Sequence, residues 1–242
     1  QSRSGNKEVI FEVMFDGINK GHACDNLFMP PSIDNGWGSQ TNPTQELVDS
    51  YEMLDGTPFD WNNPVHAKDP YTGRDKRLAA SIITDGSVFK NKVIRTGYLM
   101  PDDGLGLVAR TYTGYYIRKF LDETLPFEKL YFGGSQTSWK ELRLAEVLLN
   151  YAEAKAELGE CDETVWNATV KPLRERAGVE GKIPATYDPY VAAYFKNQTT
   201  DKWVLEVRRE RGVELAFEGV RYDDIMRWKQ GDLIENVWQG IY

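Results

Sequence analysis

The sequence predicts a mainly α chain, a helical-repeat superhelical scaffold that carries long irregular loops and little β. Three observations predict it. Residues 137–242 hold apolar side chains at helical spacing, punctuated by glycine, whereas residues 1–136 are loop-rich in Gly, Asn, Pro and Asp. Only one early stretch, residues 8–15, has the alternation of a strand, with Val9, Phe11, Val13 and Phe15 on one parity. At 242 residues the chain buries roughly 70–75% of its unfolded surface, so it needs no disulfide framework.

The elements follow in order. Thr44 is a helix N-cap, and Leu47, Val48, Tyr51 and Leu54 recur at helical spacing after it. Residues 16–42 and 55–75 are loops, the first with Trp37 between Gly36 and Gly38, the second with Trp61 and Tyr71. Arg77 to Thr84 is a short apolar stretch ending in the Asp85-Gly86 turn, and 97–136 carries no assignable element. Trp139 to Leu158 reads as a helix, with Leu142, Ala145, Leu149, Ala152 and Ala156 inward, Leu144, Leu148 and Tyr151 widening the face, and Gly159 as the stop. Asp162 caps a second helix, which Pro172 kinks or restarts and Gly178 ends. A third runs from about Thr200 to Phe217 before Gly219, and a fourth from Arg221 to Lys229 before Gly231. These make two helix–turn–helix pairs of TPR-like size, and Trp139, Trp166, Trp203 and Trp228 sit on them at core spacing.

Composition excludes several functions. Lys plus Arg is 29 against 37 for Asp plus Glu, a net charge of −8, which argues against nucleic acid and against adhesion to anionic lipid. No apolar run is long enough to cross a bilayer. Cys24 and Cys161 match no metal or redox spacing; two free thiols, one disulfide or none all fit. His22 and His66 lie in no ligand-like context, so no metal ligand and no cofactor is assigned; no EF-hand-like loop occurs, and the scattered loop acids leave calcium open. The polar start, Gln1 to Gly5, has no signal-peptide core.

The charged run from Glu206 to Arg227 reads as structural before it reads as chemical. Glu206, Glu210, Glu214 and Glu218 recur at i,i+4 and repel one another unless cations neutralise them, with Arg209 and Arg211 flanking Glu210. Arg and Glu buried together form hydrogen-bonded pairs that fix helix register.

Several stretches resemble one family. Residues 43–53 (PTQELVDSYEM), 74–78 (RDKRL), 139–159 (WKELRLAEVLLNYAEAKAELG), 173–178 (LRERAG) and 208–228 (RRERGVELAFEGVRYDDIMRW) are similar, in order, to motifs of the SusD/RagB outer-membrane nutrient-binding lipoproteins. The resemblance covers the C-terminal half of such proteins, and implies that an N-terminal helical-repeat half, a signal peptide and a lipidated cysteine lie outside this chain. It further implies a TPR-like scaffold, lipid-anchored on the extracellular face of a Gram-negative outer membrane. There it captures oligosaccharide, or in some members peptide, for a SusC-like TonB-dependent outer-membrane transporter, without catalysis.

Carbohydrate recognition has its own residue signature: flat C–H faces of pyranose rings stack on Trp or Tyr, and hydroxyls need amides and acids at the rim. Trp61 with Asp60, Asn62 and Asn63 fits a hydroxyl-rich ligand. Trp37, near Asn35, Gln40 and Asn42, reads equally as a stacking plate or as a scaffold residue. Tyr71 is the third candidate, although the neighbouring Arg-Asp-x-Arg of residues 74–77 looks structural. The candidate ligand residues are therefore Trp37, Trp61, Tyr71, Asn63 and Asn35. Two competing readings stand beside them. A glycoside hydrolase needs paired carboxylates in one cleft, for which Asp102-Asp103 and Asp55/Asp60 are the candidates. A pure interaction protein would dock a partner barrel and bind nothing soluble.

Overall fold

The structure is a computed structural model that describes residues 6–34 and 37–241. Its elements are β1 (Val9–Val13), α1 (Cys24–Phe28), α2 (Pro31–Asp34), α3 (Gln45–Ser50), α4 (Pro64–Lys68), α5 (Lys76–Ser81), β2 (Ile82–Ile83), β3 (Val88–Phe89), β4 (Lys92–Val93), β5 (Tyr116–Ile117) and β6 (Trp139–Arg143). The helical part follows as α6 (Leu144–Glu157), α7 (Glu163–Ala168), α8 (Val170–Arg176), α9 (Pro189–Tyr194), α10 (Lys202–Glu214) and α11 (Arg221–Arg227). Sheet is confined, among the described residues, to the pairs β1–β6, β2–β5 and β3–β4. No helix among them is long and apolar enough to cross a membrane.

The chain forms two compact units interleaved in sequence. Unit 1 takes residues 1–11, 49–77 and 141–237; unit 2 takes 12–48, 78–140 and 238–242.

Unit 1 holds helices α6 to α11. Asp162, Asp188 and Asp201 cap α7, α9 and α10, their side chains accepting from Val165 N at 2.9 Å, Tyr190 N at 2.8 Å and Trp203 N at 2.8 Å. Ala145, Leu149 and Ala152 of α6 meet Val165, Trp166, Val170 and Leu173 of α7–α8 and Val207 of α10 in one core. A second core gathers Val191, Ala192, Phe195, Leu205, Ile225, Trp228 and Leu233. Each fully buried large side chain contributes on the order of 1.5–3 kcal/mol.

Two expectations are corrected here, and one alternative is decided. The first long helix begins at Leu144, and Trp139 to Arg143 is strand β6, so Trp139 is half-buried on a strand. Leu144 and Tyr151 face outward rather than widening the buried face of α6. Pro172 restarts rather than kinks: α7 ends at Ala168, and Pro172 lies in the first turn of α8, where a missing N–H costs no helical bond. Trp166 and Trp228 are buried as expected, while Trp203 is half-buried.

Unit 2 packs Met29, Ile83, Phe89, Ile94 and Tyr116 into its own core, and it carries the short helices α1 and α2 and the pairs β2–β5 and β3–β4. Both cysteines are free thiols, and burial pushes Cys24 up and Cys161 up to about 11, so neither is a ready thiolate.

Candidate functional site

The charged helix α10 is the frame of unit 1. Glu214 accepts from Arg77 at 2.8 Å, Arg143 at 2.6 Å and Arg176 at 2.5 Å. Burial alone pushes the Glu214 carboxyl up, but those three guanidinium groups hold it down at about 2. Glu218 takes the other edge of Arg143, at 2.7 Å. Arg209 joins Glu52 at 2.6 Å and Asp188 at 2.9 Å, and also pairs with Glu206. The expected partners of Glu210 are replaced: it binds Arg77 at 2.5 Å, while Arg211 turns to Asp224 at 2.9 Å and Glu153 at 3.2 Å. Every acid of the i,i+4 series thus meets a guanidinium, and the run serves as scaffold.

The 51–77 segment is fastened to that frame. Arg74 donates to Tyr51 O at 2.6 Å from Nη2 and to Pro70 O at 2.7 Å from Nη1. Its guanidinium also lies 4.0 Å over the Phe59 ring. Asp75 and Arg77 bond each other at 2.7 Å. The Arg-Asp-x-Arg motif is therefore a clamp, and Tyr71, three residues before it, is half-buried.

Trp61 stands on this clamp. Phe59 meets the indole edge-on at 4.9 Å and stacks on His66 at 5.4 Å. The indole Nε1 donates to both carboxylate oxygens of Asp49, each at 3.1 Å. The ring is thereby fixed in orientation, yet Trp61 stays 39% exposed. An indole whose polar edge is satisfied and whose remaining surface meets solvent is preorganised for stacking, because little rotamer freedom is left to lose on binding. Asn63 serves the backbone, since its Oδ1 accepts from Val65 N at 3.0 Å and caps α4. Asp60 does likewise, accepting from Asn62 N at 2.8 Å.

Trp37 lies in unit 2 and is 69% exposed. Its carbonyl accepts from Gln40 Nε2 at 3.2 Å, and Gln40 N donates to Leu27 O at 3.0 Å. Gly38 is required next to it, since a Cβ there would stand 1.8 Å from Met29 O. Asn42 Nδ2 donates to Ser39 Oγ at 3.2 Å, which closes the loop. The loop is thus bound to its own unit while the indole itself is not buried. Asn35 lies outside the described residues.

The carboxylates of the hydrolase reading have other duties. Asp103 is buried and accepts from Ser32 N at 2.9 Å and Ser32 Oγ at 2.5 Å. Asp102 pairs with Lys92 at 3.3 Å. Hydrogen bonds from Thr57 hold the Asp55 carboxyl below its usual range, the wrong direction for a general acid. Among the described residues no group of three or more His, Cys, Asp or Glu could hold a metal ion.

The chain's residues 7–239 match the SusD family model. The chain belongs to the SusD family. A SusD-like carbohydrate binding protein from Bacteroides fragilis NCTC 9343 matches with a TM-score of 0.78 and 28% identity, over 97% of this chain and 44% of that one. A second SusD-like protein from the same organism matches at 31% identity and a TM-score of 0.67, over 95% and 44%. Surface glycan-binding protein A from Bacteroides thetaiotaomicron shares the fold at 19% identity and a TM-score of 0.53, over 92% and 43%. This SusD-family chain therefore spans less than half the length of these solved structures. None of the curated proteins matches it. Its fold is the mainly helical, TPR-like one of the family, with small sheets.

Two exposed rings of unit 2 escaped the sequence reading: Tyr98, 72% exposed, and Tyr112, 83% exposed. They lie where no periodicity could be assigned. The signal available was local only, Tyr98 following Gly97 and Tyr112 set between Thr111 and Thr113.

Proposed function

We propose that this chain is the ligand-binding part of a cell-surface glycan-binding protein, which captures oligosaccharide for a SusC-like TonB-dependent outer-membrane transporter. It works from the extracellular face of a Gram-negative outer membrane as a lipid-anchored protein, and it does no chemistry on its ligand. The observation that carries the reading is Trp61, an indole pinned through its N–H to Asp49 with its ring partly open to solvent. Membership of the SusD family and the carbohydrate-binding B. fragilis relative support it. Trp37 offers a separate exposed plate on unit 2, and Tyr71 and Asn63 lie on the segment that carries Trp61 in unit 1. The absence of catalysis is supported by Asp103 and Asp55, whose carboxylates are engaged by Ser32 and Thr57.

Isothermal titration against panels of neutral oligosaccharides and of peptides tests the proposal. The wild-type chain is expected to bind a glycan and to return it intact by mass spectrometry. Trp61→Ala and Trp37→Ala are each expected to weaken that binding by roughly 1–3 kcal/mol, the scale of losing one large aromatic contact. Binding to peptides alone, unchanged affinity in both variants, or a cleaved glycan overturns it.

A further inference from the structure

Asp49 fixes the indole of Trp61 through its N–H, but the backbone that carries the ring is fixed by a histidine. Asp60 N, one residue before Trp61, donates to His66 Nδ1 at 3.2 Å. Two further bonds close the same turn: Asn63 N donates to Asp60 O at 3.1 Å, and Ala67 N to Asn63 O at 2.9 Å. His66 lies on α4, which Asn63 caps, so a helix rather than a loose loop presents the imidazole. Residues 60–67 thus form a closed circuit of hydrogen bonds with Trp61 inside it.

The imidazole also belongs to the group of rings that braces the indole. Phe59 stacks on it at 5.4 Å with 21° between the planes, and meets Trp61 edge-on at 4.9 Å and 82°. The Arg74 guanidinium lies 4.0 Å over the same Phe59 ring. Phe59 is buried and His66 half-buried, so the imidazole is held by the protein yet within reach of solvent protons.

These contacts suit one protonation state only. A neutral imidazole has one acceptor nitrogen and one N–H, whereas the imidazolium has two N–H groups and no acceptor. The Asp60 N–H occupies Nδ1, which places the single proton on Nε2. Protonation turns Nδ1 into a donor that faces the Asp60 N–H, so that bond is lost. It also adds a second cation beside a Phe59 ring that already carries Arg74. The other charged groups of the cluster have their own tasks. The Asp60 carboxylate accepts from Asn62 N at 2.8 Å and Asn62 Nδ2 at 3.1 Å, and Asp49 holds the indole. Lys68 ends α4 with a like charge, and Asp69 follows it as the C-cap. Histidine is the side chain whose charge ordinarily changes between pH 5 and 8.

We propose that His66 is a positioning residue for Trp61 and that it makes the hold of that ring on its ligand pH-dependent, firm with a neutral imidazole and weaker with a protonated one. This rests on the glycan-binding reading above and adds to it a residue that regulates the Trp61 plate.

The test has two arms, both on the whole chain. In the first, NMR follows the Trp61 indole N–H and the Asp60 amide between pH 8 and pH 5 without ligand. Both signals are expected to move together with the His66 ring protons. In the second, calorimetric titration with the tightest-binding neutral oligosaccharide is run at both pH values. Affinity is expected to fall about threefold to tenfold from pH 8 to pH 5, the scale of one hydrogen bond. His66→Asn supplies an acceptor oxygen that does not titrate, and is expected to bring the ratio of the two affinities close to one. His22→Asn removes the other histidine of the chain, in unit 2, and is expected to leave the ratio as in the wild type. The inference is overturned if the Trp61 and Asp60 signals stay in place while His66 titrates. It also fails if the glycan binds equally at both pH values, or if His22→Asn rather than His66→Asn flattens the ratio, outcomes that leave the glycan-binding reading standing. If no oligosaccharide binds at either pH, that reading fails and takes the pH-dependent hold with it, while the NMR arm still decides whether His66 positions the ring.

Discussion

Glu214→Gln is expected to lower the stability of unit 1 by about 3–5 kcal/mol, because it removes the charge that three guanidinium groups share and leaves those cations unneutralised beside the core. For a chain of this size that corresponds to a fall in thermal midpoint of roughly 6–20 °C. The pH dependence gives a second signature. The Glu214 carboxyl titrates at about 2 in the folded chain, below its ordinary value of 4.5. A depressed folded value means that the stabilisation is fully present above about pH 4.5 and is lost as pH falls from there towards 2. Denaturant titrations from neutral pH down to the acid limb should show wild type and variant converging as the carboxyl protonates. Equal midpoints at pH 7 would remove the network from the account of unit 1.

Trp166→Ala is expected to cost about 3–5 kcal/mol by a different route, the loss of a large buried ring and the cavity left behind. Trp166 is fully buried between α6, α8 and α10. Its Nε1 donates to Gly181 O at 3.0 Å, its ring meets Trp203 at 5.8 Å, and the Arg174 guanidinium lies 5.6 Å over it. The substitution empties the junction of three helices and orphans a carbonyl. The loss should be insensitive to pH in the range where Glu214 titrates, which separates the two mechanisms in one set of denaturation curves. A midpoint within a degree or two of wild type would mean that α7 and α8 do not need this ring to dock.

The helices were legible because their causes are local. Asp162 as a cap, Gly159 and Gly178 as stops, and Ala145, Leu149, Ala152 and Ala156 as a buried stripe all act within a few residues of one another. β6 was not legible, since Trp139 to Arg143 reads as helix until its partner β1 is known to pair with it. The interleaving of the two units was not legible either, because each unit draws on three separate segments of the chain. In the ion network the sequence showed that Glu210 needs a cation but pointed to its chain neighbours, whereas Arg77, 133 positions away, supplies it.

The candidate ligand residues divide in the same way. An aromatic residue among amides in a loop is visible from sequence, and Trp37 and Trp61 are indeed exposed. What locks Trp61 is Asp49, twelve positions earlier and across a loop, which spacing alone does not reveal. Asn63 shows the ambiguity of an amide beside an aromatic, since its oxygen caps α4.

The central claim, that solvent-facing indoles on braced loops grip a glycan, is tested most directly by NMR on the seven tryptophan indole N–H resonances during titration with the tightest-binding oligosaccharide. The Trp37 and Trp61 signals are expected to move on binding, while those of Trp166 and Trp228, buried in the helical cores, hold their positions. Saturation of the chain with that ligand while the Trp37 and Trp61 signals stay where they were would contradict the account.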